Sequence, residues 1–339
     1  MEHYFYKNSN LIFNGNNMLE PKYESIENFK FKSGEILPEL NIEYATFGTK
    51  KLDDDGNIIN GIVYLHGSSG DYSSVKRVKD VLGPGKVMDT DDYYVICPTS
   101  LGNPGSSSPS TSGMGHLFPK YTVEDMVDAT YTLLTQKLNI KHLKGIIGTS
   151  MGGFLALQWA IKYPDFMDFI IPLTTSSSSK GQNYALSTIM NNYIKNDPDY
   201  LDGKYEHKPQ TGPQNAMMML YLFGFSPAYY KNSSNEEVLE SIHEMELEGA
   251  NSDANNIIWQ NEATMIYDVS EELHKIKART LVIGINQDQY FPPDTDVIPL
   301  SESIQGSELF LYDSILGHVG SSEIKKAELI ISDFLKDGD

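Results

Sequence analysis

The sequence predicts an α/β fold, a mostly parallel central sheet with helices on both faces, interrupted by an inserted helical cap. Three observations lead there. Apolar runs at 62–65, 93–97, 145–148 and 169–173 lack alternation, as parallel strands covered on both faces do. Helical patterns separate them, and strand–helix alternation argues for right-handed crossovers in one parallel sheet. After 175 the text turns helical, and strand runs resume only at 280–285 and 308–312. The economical division is a core of residues 1–175 and 263–339 around a helical insertion at 176–262.

Taken in order, the first 25 or so residues show little periodicity and predict a mobile or edge-packed arm. Phe29-Lys30-Phe31-Lys32 and the stretch 40–47 alternate apolar with polar residues, which predicts an antiparallel start to the sheet. Thr122 with Asp125 forms a capping-box pair that opens a helix, continued by Met126, Ala129, Thr130, Leu133 and Leu134. A second helix starts at Gly152 and runs through Leu155, Leu157, Trp159 and Ala160 to a stop at Tyr163-Pro164. Four serines at 176–179 read as a linker into the insertion. An amphipathic helix at 322–336 closes the chain.

Composition bounds the partners. A formal charge of −20 argues against nucleic acid, which needs a basic surface. No run approaches the length of a membrane span, and the first residues carry no signal-peptide pattern, so a cytoplasmic protein without membrane contact is expected. The single cysteine, Cys97, sits in an apolar run and reads as a buried strand residue. No paired-His motif suggests a metal.

Gly148-Thr149-Ser150-Met151-Gly152 carries the chemistry. This G-x-S-x-G follows a buried strand and opens a helix, the context a nucleophile elbow requires. Its glycines allow a strained turn with close strand–helix approach, which exposes the Ser150 hydroxyl. A serine nucleophile needs a base and an oxyanion site. Asp288 and His318 follow the two late strand runs, in the order Ser, Asp, His and at the strand ends where open sheets place ligand chemistry. Asp294, Asp296 and Asp313 compete with Asp288 for the acid role. His3, His116, His142, His207, His243 and His274 lie in the arm or in polar and helical surroundings and read as surface residues. The turn His66-Gly67-Ser68-Ser69-Gly70 points a backbone N–H at the oxyanion, so the Ser68 and Met151 amides are the expected oxyanion hole, with His66 structural beneath the loop.

These residues resemble the homoserine O-acetyltransferase group of α/β-hydrolases, over roughly 41–334. The loop Leu101-Gly102-Asn103-Pro104-Gly105-Ser106-Ser107-Ser108-Pro109-Ser110 looks like the family's loop ending in G-S-x-x-P-S. Phe118-Pro119 with Thr122, Asp125 and Met126 looks like its F-P-x-x-T-x-x-D-M. The elbow with Ala156-Leu157-Gln158-Trp159, the insertion's Asp197-Pro198-Asp199-Tyr200 with Gly203 and Tyr205, the segment Asp288-Gln289-Tyr290-Phe291-Pro292-Pro293 and Gly317-His318 are also similar. The resemblance implies the α/β-hydrolase fold with a helical cap, a homodimer formed through that cap, and ping-pong acyl transfer through an acyl-serine.

The chain also departs from the pattern. The family holds its amino-acid substrate with a cap arginine and usually an aspartate after the catalytic histidine. Here the corresponding stretch 187–193 has no arginine, Val319 follows His318, and the only arginines are Arg77 and Arg279. A guanidinium is the natural bidentate clamp for a carboxylate; Lys180 or Lys195 would replace it with poorer geometry. The insertion holds five lysines against twelve acidic residues, a net of −7, which suits an anionic acyl-CoA poorly. The expected function is therefore an esterase acting on a small ester, with water as acceptor and no cofactor. The alternative is an O-acetyltransferase moving acetyl from acetyl-CoA, as co-substrate, to homoserine or another alcohol. The partners are a small-molecule acyl donor and acceptor. The apolar run 216–223 reads as packing or a dimer face, or more sharply as a wall of the acyl site.

Overall fold

A computed structural model describes residues 19–336. Eight strands form one sheet: β1 (Lys22–Lys30), β2 (Ile36–Gly48), β3 (Gly61–Leu65), β4 (Tyr94–Pro98), β5 (Leu143–Thr149), β6 (Met167–Leu173), β7 (Arg279–Ile285) and β8 (Glu308–Tyr312). Their order across the sheet is β1-β2-β4-β3-β5-β6-β7-β8. The β1/β2 and β2/β4 pairs are antiparallel and the rest parallel. Every residue of β3 and β4 is buried, Cys97 included, which is why those runs do not alternate. β1 and β2 leave one face partly in solvent, and residues 40–47 of β2 alternate in sequence, whereas β1 buries only Ile26 and Phe29 fully.

Helices α1 (Val123–Thr132) and α2 (Met151–Lys162) precede an insertion made of α3 (Gln182–Lys195), α4 (Thr211–Gly224), α5 (Pro227–Asn232), α6 (Asn235–Asn251) and α7 (Ala254–Met265). Short α8 (Ile298–Glu302) and α9 (Glu328–Lys336) complete the core. At α1 the capping box forms as expected: Thr122 Oγ1 accepts from the Asp125 N–H at 3.2 Å, and the Asp125 carboxylate accepts from the Thr122 N–H at 2.8 Å. Apolar residues fill both sides of the sheet. One cluster includes Phe154 and the fully buried Trp159, the other Val75 and Phe334. No helix among the described residues is long and apolar enough to cross a membrane.

Three expectations need correction. Residues 1–18 of the expected arm, with His3, lie outside the described residues, but the arm does not extend to 25: Lys22–Lys30 pairs along β2, with Ile26 and Phe29 buried. Helix α2 begins at Met151, one residue before Gly152. The closing helix is shorter than 322–336. Residues Gly317–Ala327 form 3-10 turns broken at Glu323, and only Glu328–Lys336 is α-helical. The tight packing around His318 imposes this: Gly317 has φ +61° and a Cβ there would lie 2.7 Å from Ser226 N, while Leu316 and Val319 are clamped in an aromatic cluster with Phe225 and Tyr229.

The four serines at 176–179 are no loose tether. Ser179 N donates to Tyr267 O at 3.0 Å and Val269 N to Ser177 O at 2.9 Å, so the entrance and exit of the insertion bond to each other.

Candidate active site

Ser150 stands between β5 and α2 with φ 58° and ψ −120°, a conformation costing a non-glycine residue on the order of 1–3 kcal/mol. The surroundings hold it there. Its N–H donates to Leu173 O at 2.9 Å, and its carbonyl accepts from Gly153 N at 2.8 Å and from Thr175 Oγ1 at 3.0 Å. The elbow glycines are required by contact: a Cβ on Gly148 would overlap the Gly152 carbonyl, and one on Gly152 would overlap that of Leu65.

Asp288 and His318 meet. His318 Nδ1 lies 2.8 Å from Asp288 Oδ2 in a pair whose carboxylate is fully enclosed and whose imidazole is 13% exposed. Asp288 Oδ1 accepts the N–H groups of Tyr290 (2.8 Å) and Phe291 (3.2 Å), so its remaining oxygen is aimed at the ring. An acceptor at Nδ1 assigns the proton to that nitrogen and leaves the Nε2 lone pair able to take a proton. The Tyr290 ring sits edge-on to the imidazole at 4.7 Å and Phe291 tilts against it at 5.7 Å.

The competing carboxylates are elsewhere. Asp313 takes its bonds from Asn286 and Gln287, and Asp294 is exposed. Asp296 bonds Thr295, and burial, with the Asp288 charge nearby, holds it above the usual carboxylate range. Of the other described histidines, His142, His207, His243 and His274 are exposed and His116 half-buried.

The Gly67–Gly70 turn lies against the elbow: a Cβ on Gly67 would come within 3.5 Å of Ser150 Cβ and 3.9 Å of its Oγ. Ser68, Ser150 and His318 line one lobe of a cavity, about 990 Å³, and Ser68, Ser150 and Met151 line a second of about 460 Å³. Of the expected site residues, Ser68, Ser150, Met151 and His318 border this space, and Asp288 lies enclosed behind His318. Met217 and Leu220 of the apolar run line both lobes and Tyr221 the larger one, while Ala216 is fully buried.

His66 is structural, as expected. Its buried ring accepts from Ser100 N at Nε2 (2.9 Å), so Nδ1 carries the proton and donates to Gly67 O (2.6 Å). Burial lowers its affinity for a second proton, and protonated Nε2 would confront the Ser100 N–H. In the unfolded chain a histidine protonates near 6.5. Below that pH the unfolded state binds more protons, so the contribution of His66 to stability is lost as pH falls from 6.5 toward its lower folded value. Melting temperature against pH should therefore slope less in this window for His66→Gln than for the native chain.

Asn103 and Gln260 supply support that sequence reasoning missed. Asn103 Nδ2 donates to the carbonyls of Ser68 (2.7 Å) and Gly70 (3.2 Å), and its Oδ1 accepts from Gln260 Nε2 of α7 at 2.9 Å. The motif containing Asn103 was visible, but nothing in the sequence places Gln260 beside it. Asn103→Ala is expected to lower kcat about 100-fold through misplacement of the turn, with a smaller change in KM, measurable with p-nitrophenyl acetate. The α4–α5 corner grips the loops that carry Asp288 and His318: Gln289 Nε2 donates to Phe225 O, and Ser226 Oγ to Ile315 O.

Residues 62–313 match the family model for the alpha/beta hydrolase fold. A "Probable acyltransferase" of Methanothermobacter thermautotrophicus is 47% identical over 92% of this chain and 97% of its own length. A homoserine O-acetyltransferase of Methanococcus vannielii is 30% identical over 90% of this chain and 70% of its own. The chain belongs to the α/β-hydrolase family, among its homoserine O-acetyltransferase-like members. An acetylester hydrolase from Corynebacterium glutamicum superposes with a TM-score of 0.84 at 23% identity, covering 94% of this chain and 96% of that one. At that identity the likeness speaks for the α/β-hydrolase fold alone.

Proposed function

We propose that this α/β hydrolase is a serine acyltransferase that takes an acyl group, acetyl in the simplest case, from a thioester such as acetyl-CoA and passes it to an alcohol. What carries transfer over hydrolysis is the 47% identity to a probable acyltransferase along nearly the whole of both chains. Sequence reasoning had put water first as acceptor; the relatives favour its alternative. The larger lobe also supports an anionic donor, since Lys76, Arg77 and Lys79 line it. Lys76 binds its proton less tightly than an ordinary lysine, because it is half-buried and stands beside the Arg77 guanidinium. Asp71, Asp80, Glu240, Glu244, Glu248 and Glu323 line the same lobe, so its lysines and arginine form a local basic patch at 76–79 and not a basic wall.

In this reading His318 Nε2 takes the Ser150 proton as Oγ attacks the thioester carbonyl. The Ser68 and Met151 amides hold the oxyanion, the C–S bond breaks, and His318 protonates the leaving thiolate. The acceptor alcohol then gives its proton to His318 and attacks the acyl-serine, and Ser150 recovers its proton as the ester leaves. Asp288 keeps the imidazole in one tautomer throughout.

The test follows free CoA from acetyl-CoA with and without alcohols, beside p-nitrophenyl acetate, with Ser150→Ala as control. CoA release accelerated by an alcohol supports transfer. Ester turnover indifferent to CoA thioesters and to alcohols would make the protein an esterase and overturn the proposal.

A further inference from the structure

The two lobes differ in charge. Among the described residues, none lining the smaller lobe is a lysine, arginine or histidine, whereas Glu248 and Asp253 both line it. The lysines that could have supplied a cation are engaged elsewhere: Lys180 pairs with Asp268 at 2.6 Å and is 72% exposed, and Lys195 pairs with Glu262 at 3.0 Å. Asp253 is committed to the Asn256 N–H and the Tyr205 hydroxyl. Glu248 makes no ion pair among the described residues and borders both lobes, as Ser150 does.

Three amide side chains of this lobe each use one N–H internally. Gln260 donates to Asn103, Asn261 to Asn191 at 2.8 Å, and Asn183 to the Tyr290 carbonyl. The only charged groups lining this lobe are thus carboxylates, and its remaining polar groups are neutral amides and hydroxyls, which pair with the hydroxyl of an uncharged alcohol. A carboxylate entering here would shed water, gain no cation and face two negative charges, an arrangement that rejects it strongly.

We infer, on the footing of the transferase reading, that the acceptor is an uncharged alcohol without a carboxylate group, selected by the cation-free lobe and by Glu248. It follows that free hydroxy acids, homoserine included, are poor acceptors, and that Ser187, which lines this lobe from α3, is a position where a cation would change the preference.

The experiment acylates Ser150 with acetyl-CoA and measures deacylation by 1,4-butanediol, 4-hydroxybutyramide and 4-hydroxybutyrate. The amide and the acid differ in little but charge. The uncharged pair should react faster than the acid by on the order of 100-fold. Ser187→Arg and Glu248→Gln should each narrow that ratio. A native enzyme that uses 4-hydroxybutyrate as well as the amide overturns this inference alone. A ratio unmoved by both substitutions overturns the assignment to this lobe. Acylation followed by loss of acetyl to water only, with no response to any alcohol, overturns the transferase reading as well.

Discussion

Replacing Ser150 by alanine is expected to lower kcat by roughly 10⁴-fold or more, with no acetyl label retained on the protein. The magnitude follows from the lack of a second nucleophile at the elbow. Ser150 alone is lifted out of β5 by its φ of 58°. The only cysteine, Cys97, is buried in β4, where burial raises its thiol pKa far above normal. The fold should survive, because the elbow's bonds are made by the Ser150 backbone and not by its hydroxyl. Alanine also lacks the β-branching that would add to backbone strain. Near-native melting with lost acylation is therefore the expected pair of results, read by calorimetry and by mass spectrometry of the intact protein after acetyl-CoA. Alanine protein that still turns over p-nitrophenyl acetate at the native rate would refute the assignment of the nucleophile.

Asp288→Asn should fall nearly as far, about 10⁴-fold in kcat. One Asp288 oxygen is fixed by two backbone N–H groups, so the asparagine oxygen would take that place and turn its NH₂ toward His318 Nδ1. The imidazole would answer with an acceptor at Nδ1 and a proton at Nε2, leaving no base for Ser150. KM should change little, since Asp288 lines neither lobe. The matched control is Asp296→Asn. Asp296 is close enough to feel the Asp288 charge, yet His318 bonds Asp288, so most of the activity should remain. Steady-state kinetics on the two variants separate these cases, and equal losses in both would mean that the acid role is shared.

How much of this was legible beforehand depends on whether the signal was local. Strand runs, the α1 capping box and the elbow are decided within a few residues, by burial on two faces, by a side chain reaching three positions along, or by glycines where backbones touch. The order Ser150, Asp288, His318 was legible for a similar reason: in a parallel sheet, residues just past successive strands emerge at the same edge. The start of β1 was not, because that strand is stabilised by its partner β2 and its own text barely alternates. The short final helix was misjudged since apolar spacing does not record that Gly317 is wedged against Ser226.

The sequence by itself determined the sheet, the insertion, the elbow serine and a late histidine with a short set of carboxylates for it, since each follows from periodicity or from position just past a strand. Only the tertiary structure decided which carboxylate faces His318, that Gln260 reaches Asn103, and that the smaller lobe holds no cation. Those facts depend on where residues far apart in the chain point once packed, and a side chain's direction in space is set by the neighbours that enclose it.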